Sequence, residues 1–239
     1  MTLITRFPVS PPSTATARPV LAWASGLTPN RRWTPGKLPA AGSTLTSWTS
    51  SLGDSTKLTM YGSNTAAVEE ESGIKYVALP GGATGVGLDL TGIDAATMRT
   101  VVVIARPNTG DIGSGNIITA FNANGFIQQV KNQDTATPNA DAAYGLTAPR
   151  NRWHVYSLSL PAVGSSDTTA VFAVDGQAQT IPYTESAWNM SRLKIAFSGS
   201  TDGRQLKVLE VLTSAGTFDA TTMTGLHAKA KSWYSPLTW

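Results

Sequence analysis

The chain has 239 residues, no cysteine, a net charge of +3, and only 14% charged residues, against roughly 25% in an average globular protein. The missing cysteines exclude disulfides, thiolate catalysis and Cys-based zinc sites together. The low charge density, with no basic run beyond Arg31-Arg32, leaves no electrostatic footprint for nucleic acid.

Residues 1–20 differ from the rest in composition. Pro8, Pro11, Pro12 and Pro19 alternate with Ser and Thr, and proline fixes φ while removing a backbone donor. The segment reads as an extended arm. It is either a loose leader or an arm that lies on a neighbouring subunit. The apolar side chains of Leu3, Ile4 and Phe7 favour the second and are the expected partner-binding residues. No charged segment followed by an apolar core marks a secretory signal there. No 18-residue apolar stretch occurs, so membrane insertion by a helix is not expected.

A second region, 21–239, carries the folded domain. A chain of this size buries roughly 70% of its unfolded surface and needs no staple. Residues 21–60 hold Trp23, Trp33 and Trp48 among Gly, Pro and Ser, the pattern of short strands and long loops. From residue 73 the strand signals become regular. Gly73–Leu79 ends at Pro80-Gly81-Gly82. Arg99–Arg106 is an almost continuous apolar run, which suits a central strand buried on both faces. Asn116–Phe121 and Gly125–Lys131 flank a hairpin loop at 122–124, and the polar stretch 132–150 is expected to be a long loop. Arg152–Leu160 is the next strand. Thr169–Val174 and Gln177–Ile181 meet at Asp175-Gly176, a dipeptide that tolerates the positive φ values of a type I′ hairpin. Leu193, Ile195 and Phe197 alternate, as do Leu206, Val208 and Leu212, interrupted by Glu210. One helix is expected near the C-terminus. Asp219 or Thr221 caps it, Met223, Leu226, Ala230 and Trp233 form its apolar face, and Pro236 stops it. Strands at short spacing with no alternating helices predict an all-β sandwich of jelly-roll type.

Few residues suit covalent chemistry. His154 and His227 are the two histidines, one mid-strand and one on the helix, and both read as structural. No Gly-x-Ser-x-Gly elbow occurs. Loops 111–116 and 134–141 carry oxygens suited to calcium, but ordinary polar turns are the expected reading, so no metal or cofactor is expected. Glu69-Glu70-Glu71 is the one acidic cluster that two-carboxylate glycoside hydrolysis would use. It borders Ser72-Gly73 and is expected to be a solvated loop. The glycine-rich run 81–87 lacks the Gly-Lys-Ser/Thr ending of a phosphate-binding loop. Arg31-Arg32-Trp33 is expected on the surface. Trp33 and Trp48 are the candidate glycan-stacking side chains, whereas Trp153, Trp188 and Trp233 look like core. The expectation is a non-enzymatic protein.

Three segments carry a resemblance. They are the Trp-bearing strand Arg152–Leu158, the Phe172-Ala173-Val174-Asp175-Gly176 hairpin, and Leu193–Gly199 followed by Gln205–Leu212 and a helix ending at Trp233-Tyr234. Residues 73–235 thereby resemble the concanavalin A-like (laminin-G/pentraxin-type) jelly roll. With a Pro-rich arm ahead, the chain resembles such domains in tailed-phage virion proteins, among them minor tail proteins and capsid decorations. The resemblance implies a structural virion protein of the tail or tail tip, assembled in the host cytoplasm and released by lysis. Its partners would be other virion proteins and copies of itself. The alternative it implies is a carbohydrate-binding or host-receptor-binding module, with a host-surface glycan as partner, or a capsid decoration protein.

Overall fold

The computed structural model describes residues 23–24, 27, 29–61, 65–80, 87–90, 98–108, 115–120, 125–129, 134–138, 142–184, 193–195 and 206–239. In chain order the strands are β1 (Pro29–Trp33), β2 (Thr44–Leu45), β3 (Ser47–Thr49), β4 (Lys57–Met60), β5 (Ala66–Glu71), β6 (Ile74–Ala78) and β7 (Leu88–Leu90). The long β8 (Thr100–Pro107) precedes β9 (Gly115–Ala120), β10 (Gly125–Gln129), β11 (Thr135–Pro138) and β12 (Leu146–Thr147). Last come β13 (His154–Ser159), β14 (Thr169–Val174), β15 (Gln177–Pro182), β16 (Leu193–Ile195), β17 (Leu206–Ser214) and the helix α1 (Ala220–Trp233). The arm residues Leu3, Ile4 and Phe7 lie outside the described residues, as do Trp188 and most of the glycine-rich run.

Two antiparallel sheets form a sandwich, as the strand pattern predicted. The first runs β15-β14-β13-β8-β17-β6-β5-β2, and β1 adds to β17 beside β6. The second runs β12-β11-β10-β9-β16-β7-β4-β3. The inner faces meet in one core. Val101, Val103 and Ala105 of β8, Tyr156 and Leu158 of β13, and Phe172 of β14 face Leu58, Leu88, Ile118, Leu193 and Ile195.

Over β8, β13, β14 and β17 the first sheet is also buried on its outer face. Alternate residues Val102 and Ile104 of β8, Val155 of β13 and Leu212 of β17 pack with Met223, Leu226 and Ala230 of α1, and with Trp23 and Trp153. This second core explains why Arg99–Arg106 reads as an unbroken apolar run: the strand has no solvent face. The helix itself starts where expected, with Asp219 Oδ1 accepting from the Thr222 amide at 2.7 Å. The Asp175-Gly176 turn has φ of 53° and 88°, both positive as a type I′ turn requires.

Two loop expectations are corrected. Glu69–Glu71 is not a solvated loop but the end of β5, paired with β6 through a Ser72-Gly73 turn of φ 53° and 77°. Positive φ at both turn residues closes a tight hairpin, and the same Ser-Gly pair that suggested a loop supplies it. The polar stretch 132–150 contains β11, β12 and a 3-10 turn at Ala142–Tyr144. Tertiary pairing with β10 makes strands of residues whose local pattern is weak.

A bulge in β17 builds a buried polar centre. The register with β8 slips between Val208 and Glu210, so Leu209 and Glu210 both serve the outer core. Glu210 is 1% exposed. Its Oε2 accepts from Trp23 Nε1 at 3.0 Å and from the Tyr234 hydroxyl, and its Oε1 accepts from Arg32 Nε. The Arg32 guanidinium also lies 5.3 Å from the centre of the Trp23 ring. One carboxylate thus ties the segment before β1, β1 itself and the end of α1 to the central sheet. Removing one partner of such a pair strands the other charge, at a cost of about 3–5 kcal/mol. Glu210→Ala should therefore lower the free energy of urea unfolding by that amount. The double variant Arg32→Met/Glu210→Leu should lose clearly less. Equal losses in the single and double variants would show that the pair is not the anchor.

Candidate functional site

At the end of the first sheet farthest from α1, the outer face opens into a groove of about 430 Å³. Its lining comes from the β2, β5, β6 and β17 strands and the residue after β8, and includes Thr44, Ala67, Glu69, Ala78, Asn108 and Lys207. The register explains this placement. Thr44 pairs with Ala67, Ala67 with Ala78, and Ala78 with Lys207, so these four lie in one row across the sheet. The two alanines leave room between the longer side chains, and they form a small apolar floor.

The polar wall is a closed triangle. Lys207 Nζ donates to Glu69 Oε2 at 2.9 Å and to the Tyr76 hydroxyl oxygen at 3.0 Å. The Tyr76 hydroxyl donates to the same Glu69 oxygen at 2.8 Å. The ammonium group sits 5.0 Å from the centre of the Tyr76 ring. The Lys207 hydrogen bond holds the Glu69 carboxyl below its usual range despite partial burial, and Tyr76 adds to this. Burial works against the Lys207 charge, but its bonds to Tyr76 and Glu69 outweigh it and raise the group above its ordinary value. Burial raises Tyr76, so it stays a neutral donor. Next along β5, Glu71 accepts from Arg106 at 2.6 Å, and the Arg106 guanidinium lies over Trp153. Glu69 and Glu71 share one strand face, and each already holds a cation.

The tryptophans proposed as glycan platforms are elsewhere. Trp33 and Trp48 are both 0% exposed, and both belong to the inter-sheet core. Arg31-Arg32-Trp33 is strand β1, not a surface loop, and Arg32 is buried. An indole with no accessible face cannot stack on a sugar, so the assignment of Trp33 and Trp48 to a glycan site is corrected. Composition had no means of separating them from exposed rings, because Gly, Pro and Ser surround both. Trp153 is core, as expected, and Trp233 is half-buried against the outer core. Of the groove residues only Glu69 carried a sequence signal, as part of the acidic cluster.

Both histidines are structural in their contacts. His154 places Nδ1 2.7 Å from Asp175 Oδ2 and Nε2 2.6 Å from the Pro149 carbonyl oxygen. Burial acts to raise the Asp175 carboxyl. The His154 contact, the Val155 amide and Lys231 outweigh it and lower the group. His227 is fully buried between α1 and the sheet. Its Nδ1 accepts from the Gly176 amide at 2.9 Å, so Nε2 carries the proton and donates to Ser157 Oγ at 2.8 Å. A histidine that donates to the serine cannot take its proton, so this pair lacks the polarity of a nucleophile and its base. Among the described residues no three metal-ligating side chains cluster, and no helix is long and apolar enough to cross a membrane.

No model of a known protein family matches the chain, and no curated protein matches it. Solved structures do. The sialidase of Trypanosoma rangeli in complex with sialic acid aligns with TM-score 0.59 at 14% identity, over 84% of this chain and 33% of that one. The binding domain of botulinum neurotoxin serotype D/C aligns with TM-score 0.56 at 12% identity, over 83% of this chain and 51% of that one. A mutant of the Trypanosoma rangeli sialidase displaying trans-sialidase activity aligns with TM-score 0.56 at 13% identity, over 83% of this chain and 33% of that one. The chain spans about a third of the sialidases and about half of the toxin domain. At these identities the likeness shows the β-sandwich fold alone. It also corrects the expectation of a non-enzymatic protein, because the fold is shared with segments of enzymes and does not separate the two classes.

Burial presses His227 down to about 4 from an ordinary 6.5. Between these values the unfolded chain takes up a proton that the folded chain refuses, so stability is lost as pH falls through that window. The loss from this group should reach about 3 kcal/mol between pH 7 and pH 4. Urea unfolding midpoints measured across that range should fall for the wild-type chain and fall much less for His227→Gln. Parallel curves would show that His227 is not the titrating group.

Proposed function

We propose that this chain is a β-sandwich binding module that takes a glycan, or a glycosylated surface receptor, in the groove beside Glu69 and Lys207. The observation that carries this reading is the groove itself. It is open, about 430 Å³ in volume, and sized for a sugar ring or two. It combines a small apolar floor with Thr44, Glu69, Asn108 and Lys207 on its walls. Sugars present the same combination, C–H faces with a rim of hydroxyls, and specific sites are concave and carry a few placed polar groups. The structural neighbours support it in kind. One is described with sialic acid bound, and another is a toxin's binding domain.

A setting in a virion is a second proposal, and it rests on the sequence. The resemblance of residues 73–235 to tailed-phage domains and the Pro-rich residues 1–20 support a minor tail, tail-tip or capsid decoration protein. There it would contact other virion proteins and copies of itself, the arm residues Leu3, Ile4 and Phe7 taking part. Mass spectrometry of purified particles should find its peptides at a fixed ratio to the major tail or capsid protein, and their absence would remove this setting.

The binding proposal is tested at Ala67, which is exposed on the groove floor. Ala67→Trp should fill the groove and weaken binding on a glycan microarray by at least about tenfold. The thermal midpoint should stay within a few degrees of wild type, since the added ring meets solvent space. Undiminished binding by a folded Ala67→Trp variant would move the site elsewhere.

A further inference from the structure

The polar wall of the groove is charged yet balanced, and the balance bears on which sugar fits. The Lys207 ammonium is matched by Glu69 at 2.9 Å and the Arg106 guanidinium by Glu71 at 2.6 Å. The next cation on the neighbouring strand, Lys75, turns its Nζ to the carbonyls of Leu38 and Pro39 at 2.6 and 3.0 Å. On this sheet face the two cations, from β17 and β8, are thus matched by the two carboxylates of β5. Lys207 is moreover held by the Tyr76 hydroxyl and ring as well as by Glu69, so it is not a loose cation waiting for an anion.

We infer that the groove selects a neutral, hydroxyl-rich sugar and discriminates against a carboxylate-bearing one such as sialic acid. This rests on the glycan-binding reading above. A guest carboxylate approaching Lys207 comes within the field of the Glu69 carboxylate, which is ionised and shares the same ammonium. It must displace Glu69 or be repelled by it. A pair of neighbouring hydroxyls has no such conflict. One hydroxyl donates to Glu69 while the other accepts from Lys207, and both bonds are strengthened by a charged partner. The Ala67 and Ala78 floor then meets the C–H face of the ring. The inference departs from the sialic acid bound in the structural neighbour, which at 14% identity shares the fold and not these residues.

The test is a microarray on which each neutral glycan is printed beside its sialic acid-capped counterpart. It is run with the full chain, with Glu69→Gln, and with Thr44→Lys. The last adds a positive charge at an exposed groove position and leaves the triangle intact. The wild-type chain should bind a neutral glycan at least about tenfold better than its capped partner. Glu69→Gln uncovers Lys207, so it should weaken neutral binding and raise binding of the capped form, narrowing or reversing the ratio. Thr44→Lys should move the ratio the same way, which keeps the test open if Glu69→Gln folds poorly. A merely structural Glu69 would lower both classes together. A wild-type preference for capped glycans would overturn the neutral selection and leave the glycan reading standing. Binding to neither class would overturn both. An unchanged neutral preference in folded variants would show that this charge balance is not the selector.

Discussion

A single buried carboxylate organises the outer half of this molecule. Glu210 sits where β17 bulges, and it accepts hydrogen bonds from Trp23, Arg32 and Tyr234. Two of those donors come from the start of the folded region and the third from the end of α1. An ionised group in this position is costly unless every oxygen is satisfied, so the three segments must close over it together. Their closure completes the second core, in which α1, Trp23 and Trp153 cover the outer face of the first sheet. That cover is what permits β8 to be apolar on both sides.

The cover is not complete, and its limit locates the groove. α1 packs over β13, β14 and β15, while the far end of the sheet, at β2, β5 and β6, carries Thr44, Ala67, Glu69 and Ala78 instead of large apolar side chains. The change in composition along the sheet follows the change in what lies above it. Where α1 sits, outer-face residues include Val155, Ala173 and Ser157. Toward β2, among the described residues, Thr44, Ala67 and Ala78 are small, and the charges of Glu69 and Lys207 pair with each other beside Tyr76. The groove is thus a consequence of how far the second core extends, and its chemistry is set by the Glu69–Tyr76–Lys207 triangle.

Histidine positions follow the same logic. His227 lies inside the helix–sheet interface, accepting from one hairpin amide and donating to one serine. Its polarity suits docking, because both ring nitrogens are used to join α1 to the Asp175-Gly176 turn and to β13. His154 and Asp175 brace the same turn from the other side. The polar groups around this hairpin therefore serve the seating of the helix.

Several features were legible in the sequence because they depend on local physics. Period-two patterning, the Asp175-Gly176 turn, the Asp219 cap and the absence of interleaved helices determine an all-β sandwich with one C-terminal helix. The double-sided burial of β8 was visible in its unbroken apolar run. Other features were decided only by tertiary structure. Trp33 and Trp48 are core because two sheets close over them, which no neighbouring residue announces. Glu69 and Glu71 share a face because pairing with β6 makes their segment strand rather than loop, and the register sets Ala67 beside Ala78 and Glu69 beside Tyr76, a match that a one-residue slip would destroy. Glu210 looked like an interruption in an apolar alternation, and it became an anchor because its three donors arrive from the start of the folded region and the end of α1. Local sequence fixes what each segment prefers to be, while long-range pairing decides which side chains meet, and a binding groove is made of such meetings.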